Sequence, residues 1–165
     1  MLRLLVGALT ANVRAAGLIG LPEGSRWFSE ALLDSPFSPR RFRDPLGEGA
    51  TNADAVIGHF AIRPGTRAGI ALDPGARQFV VLEAKMFSNL ASGTTRAGNY
   101  SQASRNVACM AWALDRTGID AESLSDVGFY VLAPEEKRRG RQESNLEADV
   151  RVERILEEGK ARIAR

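Results

Sequence analysis

The sequence contains very few of the residues that most metal and redox sites use. It has one cysteine, Cys109, and one histidine, His59. A single cysteine excludes an intramolecular disulfide and any multi-cysteine metal site, and a single histidine excludes His-pair zinc motifs. A Ser/His/Asp triad would depend entirely on His59. Chemistry in this chain must therefore rely mostly on carboxylates and lysine, with or without a hard metal ion.

Long apolar runs and a strong excess of one charge are also missing. No stretch approaches the roughly 20 apolar residues that span a bilayer. The N-terminal apolar residues repeat at three- and four-residue steps, which predicts a helix over about residues 2–16 and favours a cytoplasmic protein over a secreted one. Lys and Arg number 22 against 20 Asp and Glu, so the net charge is +2. This charge permits a phosphate-backbone partner without requiring one.

The composition is that of an ordinary globular protein. The chain has 165 residues, of which 44% are hydrophobic and 25% are charged. These values exclude global disorder, collagen and a coiled coil, and the length suits one domain better than two. We therefore expect a single domain over residues 1–165.

Hydrophobic periodicity predicts alternating helices and strands after the N-terminal helix. Helices are expected over about 25–33, 99–117 and 144–163, and strands over 53–62, 69–72, 77–87 and 127–133. The connections between the early strands are short enough for antiparallel pairing. The order predicts a mixed α/β chain of the α+β type.

The most informative residues are Glu83-Ala84-Lys85, at the end of the most apolar strand. Side chains alternate along a strand, so Glu83 and Lys85 emerge on the same face. Two opposite charges in an apolar strand are costly to bury unless they are paired or bound to a metal. Asp54 begins the other main strand, and if both strands share a sheet, Asp54 and Glu83 can converge on one cation.

Two carboxylates with water suit Mg²⁺, and Mn²⁺ is expected to substitute for it. Such a metal can acidify a bound water and neutralise charge on a phosphoryl oxygen, while Lys85 orients the nucleophile or stabilises the transition state. Asp54, Glu83 and Lys85 together are therefore typical of a site that cleaves a phosphodiester.

With these residues in place, the sequence resembles the PD-(D/E)XK nuclease superfamily over about residues 25–133. The matching parts are Asp54, Glu83-Ala84-Lys85, a following helix that opens Asn99-Tyr100-Ser101-Gln102, and the strand over 127–133. The resemblance implies a restriction-endonuclease-like αβββαβ core, with a central mixed sheet flanked by helices, and metal-dependent cleavage of nucleic acid. DNA is the expected substrate, with RNA as the alternative.

The resemblance also implies roles for individual residues. Asp54 and Glu83 would be metal ligands, the Ala84 carbonyl a further ligand, and Lys85 catalytic. Glu30 matches a glutamate that many members place near the metal on the first core helix. Gln102 matches a position that supports the site in some subfamilies.

Several features depart from the family pattern or favour another interpretation. Ala53 stands where the family usually has proline, and the gap from Asp54 to Glu83 is long enough that Asp73 is a second candidate for the acidic ligand. A catalytically inactive nuclease relative, which binds nucleic acid or a protein, is the main alternative function. An interaction domain in which Glu83 and Lys85 form a weak surface pair is a third.

The remaining notable residues have mainly structural interpretations. His59, Tyr100 and Cys109 are expected to be structural or buried. The basic clusters, Arg40-Arg41-x-Arg43 and residues 137–141, could contact phosphates or simply be solvated loops. The charged C-terminal helix is a candidate docking or homodimer element.

Overall fold

A computed structural model describes residues 20–42, 44, 47–85, 90–91, 93, 100–133 and 150–164. Six strands, two α-helices and one short 3₁₀ helix occupy these residues. The strands are β1 (Arg26–Asp34), β2 (Ala50–Gly58), β3 (Phe60–Ile62), β4 (Ile70–Leu72), β5 (Gln78–Ala84) and β6 (Asp126–Leu132). The helices are α1 (Gln102–Thr117) and α2 (Val152–Ile163), with the 3₁₀ helix at Ala121–Ser123. The helix predicted over 2–16 lies outside the described residues.

The main sheet is mixed and has four strands in the order β1-β2-β5-β6. β1, β2 and β5 pair antiparallel, and β6 runs parallel to β5 after the crossover through α1. Two helices flank this sheet, which confirms the predicted α+β class with a mixed sheet and antiparallel early strands.

The helix predicted over 25–33 is wrong, because the chain forms strand β1 from Arg26 to Asp34. Phe28, Ala31 and Leu33 all contribute to the same core, so the alternation of the strand shifts by one residue between Phe28 and Ala31. Glu30 lies at this shift, with a left-handed φ of 56°. The resulting three-residue spacing of Phe28 and Ala31 imitates helical periodicity. Pairing with β2 along the whole strand decides the conformation.

The strand predicted over 53–62 is divided into two strands. Gly58 has a φ of 141°, and a Cβ at this position would lie 2.0 Å from the Gln78 carbonyl oxygen. The close approach of these two backbones therefore requires glycine. After Gly58, β3 and β4 form a separate hairpin, and this hairpin comprises most of the residues between β2 and β5.

The first core lies between one face of the main sheet and α1. Phe79 and Val81 of β5 pack there with Cys109, Met110 and Leu114 of α1. The opposite face of the sheet carries a second, smaller cluster formed by Ala55, Ile57, Val80 and Leu82. β5 is buried on both faces, which explains its continuous apolar sequence.

Helix α1 begins and ends close to the predicted residues. Ser101 is its N-cap, and the Ser101 hydroxyl accepts a hydrogen bond from the amide of Ser104. Gly118 ends the helix with a φ of 67°, as expected for a left-handed C-cap. The last predicted helix is confirmed over Val152–Ile163, whereas residues 144–149 lie outside the described part of the chain.

Candidate functional site

The structure brings Asp54 and Glu83 together on neighbouring strands. The last paired residues of this ladder are Ala55 and Leu82, and one further step brings Asp54 level with Glu83. There the Asp54 Oδ2 atom accepts a hydrogen bond from the amide of Ala84 at 2.7 Å. The side chain of Asp54 therefore continues the contact between the two strands beyond their last backbone pair.

Asp73, the alternative acidic residue, lies at the other end of β5. The Asp73 carbonyl accepts a hydrogen bond from the amide of Ala76 at 2.9 Å, which closes the turn before the strand. From Gln78 to Glu83 the strand advances about 16 Å. The geometry therefore favours Asp54 as the acidic partner of Glu83.

Glu83 and Lys85 form a buried ion pair. Lys85 Nζ lies 2.6 Å from Glu83 Oε1, and the two side chains are 11% and 3% exposed respectively. The interpretation of Glu83 and Lys85 as a weak surface pair is therefore wrong, because neither side chain lies at the surface. Removing one partner of a buried pair leaves an uncompensated charge and costs about 3–5 kcal/mol.

Gln102 completes the arrangement from the first turn of α1. Its Nε2 atom donates a hydrogen bond to Glu83 Oε1 at 2.6 Å, so one carboxylate oxygen accepts from both Lys85 and Gln102. The backbone amide of Gln102 donates to the Ala91 carbonyl at 2.8 Å. This bond holds the start of the helix against the backbone of Ala91.

The second oxygen of Glu83, Oε2, is buried like Oε1 but lacks its partners. Within the part of the chain that the structure describes, Oε2 has no hydrogen-bond partner. Burial raises the pKa of Glu83, the nearby Asp54 carboxylate adds to the increase, and hydrogen bonds from Lys85 and Gln102 oppose it. Such an oxygen requires a proton or a cation to balance it.

The donor set fits a divalent cation only in part. Asp54 and Glu83 supply the hard oxygens that Mg²⁺ prefers, and the buried Oε2 atom lacks a partner among the described residues. Ala84, expected to contribute its carbonyl, is seen to donate its amide to Asp54. Across the ranges that the structure describes, no group of three or more His, Cys, Asp or Glu side chains is arranged to hold a metal.

Glu30 does not have the predicted position on a helix. It lies on β1, is exposed, and stands level with Asp54 in the β1–β2 register, between the pairs Ser29–Ala55 and Ala31–Ala53. Glu83 lies level with them on the next strand, so the backbones of Glu30 and Glu83 are two strand spacings, or about 10 Å, apart. The structure therefore does not gather Glu30 with Asp54 and Glu83.

Glu158 of α2 is a residue that sequence reasoning missed. Its Oε2 atom accepts hydrogen bonds from the Ser101 amide and the Ser104 hydroxyl, both at 2.8 Å, and its Oε1 atom accepts from Arg154 Nε at 2.8 Å. Burial acts to raise the pKa of Glu158, but these hydrogen bonds outweigh it and lower the pKa. No local pattern distinguishes Glu158 from its neighbours in a charge-rich helix.

The three residues with structural interpretations are placed as expected. His59 Nδ1 accepts a hydrogen bond from the Arg77 amide at 3.3 Å, so its Nε2 carries the proton that faces the Glu23 carbonyl at 3.0 Å. Tyr100 and Cys109 are buried in the core region. These contacts occupy both ring nitrogens of the only histidine.

Part of the basic sequence lies outside the described residues. Arg43 and the cluster over 137–141 belong to this part, whereas Arg40 and Arg41 are described and exposed. Among the helices that the structure describes, none has both the length and the apolar character needed to cross a membrane.

Comparisons with protein-family models, with curated proteins and with solved structures gave no match to this chain. The case for a function therefore rests on the geometry of the residues described above.

Proposed function

We propose that this protein is a Mg²⁺-dependent nuclease that hydrolyses phosphodiester bonds in DNA. The observation that carries the proposal is the convergence of Asp54, Glu83, Lys85 and Gln102 where β5 ends and α1 begins. A buried carboxylate with an unpartnered oxygen, a second carboxylate and a lysine suit metal-assisted phosphodiester hydrolysis.

The arrangement of strands supports a restriction-endonuclease-like core. The main sheet and α1 consist of three antiparallel strands, then a helix, then a strand parallel to the third strand. This order corresponds to the βββαβ part of the core that the sequence resemblance implies. The β3–β4 hairpin accounts for the long gap between Asp54 and Glu83, because it is inserted between the second and third strands of that core. The proposal does not use Glu30, which lies on a strand.

Asp54 and Glu83 would hold the Mg²⁺, with the Ala84 carbonyl as the further ligand that the resemblance implies. When bound, the ion supplies charge neutralisation at a phosphoryl oxygen and acidifies water. Gln102 and Lys85 hold Glu83 Oε1, so that Oε2 is the oxygen left for the cation. The Lys85 ammonium can also stabilise the negative charge that develops on the phosphate as water adds and the P–O bond breaks.

The test is cleavage of labelled single- and double-stranded DNA and RNA with Mg²⁺, Mn²⁺ or EDTA. Lys85→Met keeps most of the apolar stem and removes the charge, and Lys160→Met makes the same change at an exposed lysine of α2. We expect metal-dependent cleavage of DNA by the wild type and Lys160→Met. We expect a loss of about 100-fold or more in Lys85→Met and in Glu83→Gln.

Chemical unfolding must show that each variant retains the fold before its activity is compared. Equal cleavage by the wild type and a folded Lys85→Met protein would refute the proposed role of Lys85. Cleavage of RNA alone would contradict the proposed substrate.

A second candidate is a catalytically inactive module with the same fold that binds nucleic acid or a protein partner. It is favoured by the presence of only two carboxylates in the site among the described residues, with Glu30 apart from them. Calorimetry with Mn²⁺ separates the two candidates. A folded protein that neither binds Mn²⁺ nor cleaves any substrate would favour the inactive module.

A further inference from the structure

A basic cavity lies between the segment that follows β1 and helix α2, on residues that the proposed cleavage does not use. Its volume is about 300 Å³, and its lining includes Phe37, Arg40, Arg41, Asp44 and Arg162. Among its described lining residues are three arginines and one aspartate, so the lining is positively charged. A volume of this size is enough for a phosphate together with part of its sugar.

Aromatic rings pack against Arg162, one of the arginines that line the cavity. The guanidinium carbon of Arg162 lies 4.9 Å from the centre of the Phe37 ring and 5.8 Å from that of Tyr100. The two rings meet edge to face, with their centres 5.6 Å apart. Arg162 is 7% exposed, so this charge is fixed in place within the fold.

Hydrogen bonds hold the backbone of several described residues that line the cavity. The Asp44 carboxylate accepts a hydrogen bond from the Arg40 amide at 3.0 Å, and the Asp44 amide donates to the Arg41 carbonyl at 3.1 Å. The Phe37 carbonyl accepts from the Glu48 amide at 2.7 Å. The backbone of Arg40 and Arg41 is therefore fixed, while their side chains remain exposed.

We infer that this cavity is a phosphate-binding subsite that holds a backbone phosphate of a nucleic acid. Guanidinium groups bind phosphate oxygens in a planar, bidentate geometry, which favours phosphate over a point-like anion. Tyr100, which contacts Arg162, is two residues from Gln102, which contacts Glu83. The choice of nucleic acid as the ligand rests on the proposed function, because one strand could then contact the cavity and the carboxylates together.

The test is the binding of labelled DNA in EDTA, where cleavage does not occur, measured by fluorescence anisotropy at several salt concentrations. Arg41→Gln is compared with Arg67→Gln, which removes the same charge from an exposed residue in the β3–β4 loop. We expect Arg41→Gln to weaken binding about fivefold or more and to reduce the salt slope by about one. Arg67→Gln should change the affinity by less than about twofold.

Equal effects of the two substitutions on DNA binding, or a wild type that binds neither DNA nor anionic lipid vesicles, would overturn the subsite. Binding of anionic lipid vesicles that depends on Arg41, without Arg41-dependent binding of DNA, would overturn the choice of ligand. The outcome is separable from that of the cleavage test. Arg41-dependent binding without cleavage in Mg²⁺ retains the subsite and rejects the nuclease, and cleavage with no effect of Arg41→Gln does the reverse.

Discussion

The carboxylate of Asp54 accepts a hydrogen bond from the amide of Ala84 at 2.7 Å, immediately after Glu83 on the neighbouring strand. Asp54 therefore links the two strands in addition to its proposed role as a metal ligand. Two substitutions separate the two roles, because asparagine keeps an acceptor oxygen and alanine does not.

Asp54→Ala should lower the free energy of unfolding by about 1–3 kcal/mol, since the Ala84 amide loses its acceptor. Asp54→Asn should lower it by about 1 kcal/mol or less. Urea unfolding measures both values. If Asp54 is a metal ligand, both variants lose cleavage activity although their stabilities differ. Cleavage that follows stability instead would contradict the role as a ligand.

Replacing Glu83 should change how stability depends on pH. Burial raises the pKa of Glu83 above its ordinary value of 4.5, so the folded state holds this proton more tightly than the unfolded state. Stability from this group is therefore present at low pH and lost as the pH rises from about 4.5 through the raised pKa. In Glu83→Gln that decline should be absent.

Urea unfolding of the wild type and Glu83→Gln at intervals from acid to neutral pH checks this prediction. As the pH rises, the free energy of unfolding of the wild type should fall relative to that of Glu83→Gln. A constant difference over this range would show that burial does not perturb Glu83.

Glu158→Gln should weaken the attachment of α2 to the start of α1. The substitution removes the negative charge that accepts hydrogen bonds from Ser101, Ser104 and Arg154. We expect a loss of about 1–2 kcal/mol at neutral pH. Because the pKa of Glu158 is lowered in the fold, this stabilisation is present above about 4.5 and is lost as the pH falls through the lowered pKa.

The measurement is urea unfolding at neutral and strongly acidic pH, with Glu157→Gln as the matched control at an exposed neighbour. The destabilisation caused by Glu158→Gln should shrink in acid, whereas the control should stay close to the wild type at both values. A loss of equal size at both pH values would indicate packing rather than charge.

Cys109 should react with thiol reagents only when the protein unfolds. Burial raises the pKa of its thiol to about 12, with a further contribution from the Glu48 carboxylate, and the thiolate is the reactive form. Labelling at mildly alkaline pH should be about a thousandfold slower in the native protein than in urea. Rapid labelling without denaturant would contradict the burial of α1 against the sheet.

Local patterns are sufficient to predict α1 and most of the sheet. Helix α1 has ordinary helical periodicity between its N-cap Ser101 and its C-cap Gly118, so no long-range contact is needed to identify it. The β5 strand was equally clear because it is apolar on both faces. For β1 the sequence predicts a helix, because the shift of alternation at Glu30 gives Phe28 and Ala31 a helical spacing.

Strand alternation alone predicts that Glu83 and Lys85 lie side by side, because residues two apart in a strand share a face. Three other features follow only from the fold: the burial of this pair, the position of Asp54 rather than Asp73 beside it, and the contact of Glu158 with the start of the helix that carries Gln102. The direction of a side chain follows from local backbone geometry, whereas strand register and helix docking depend on hydrogen bonds between residues far apart in the chain.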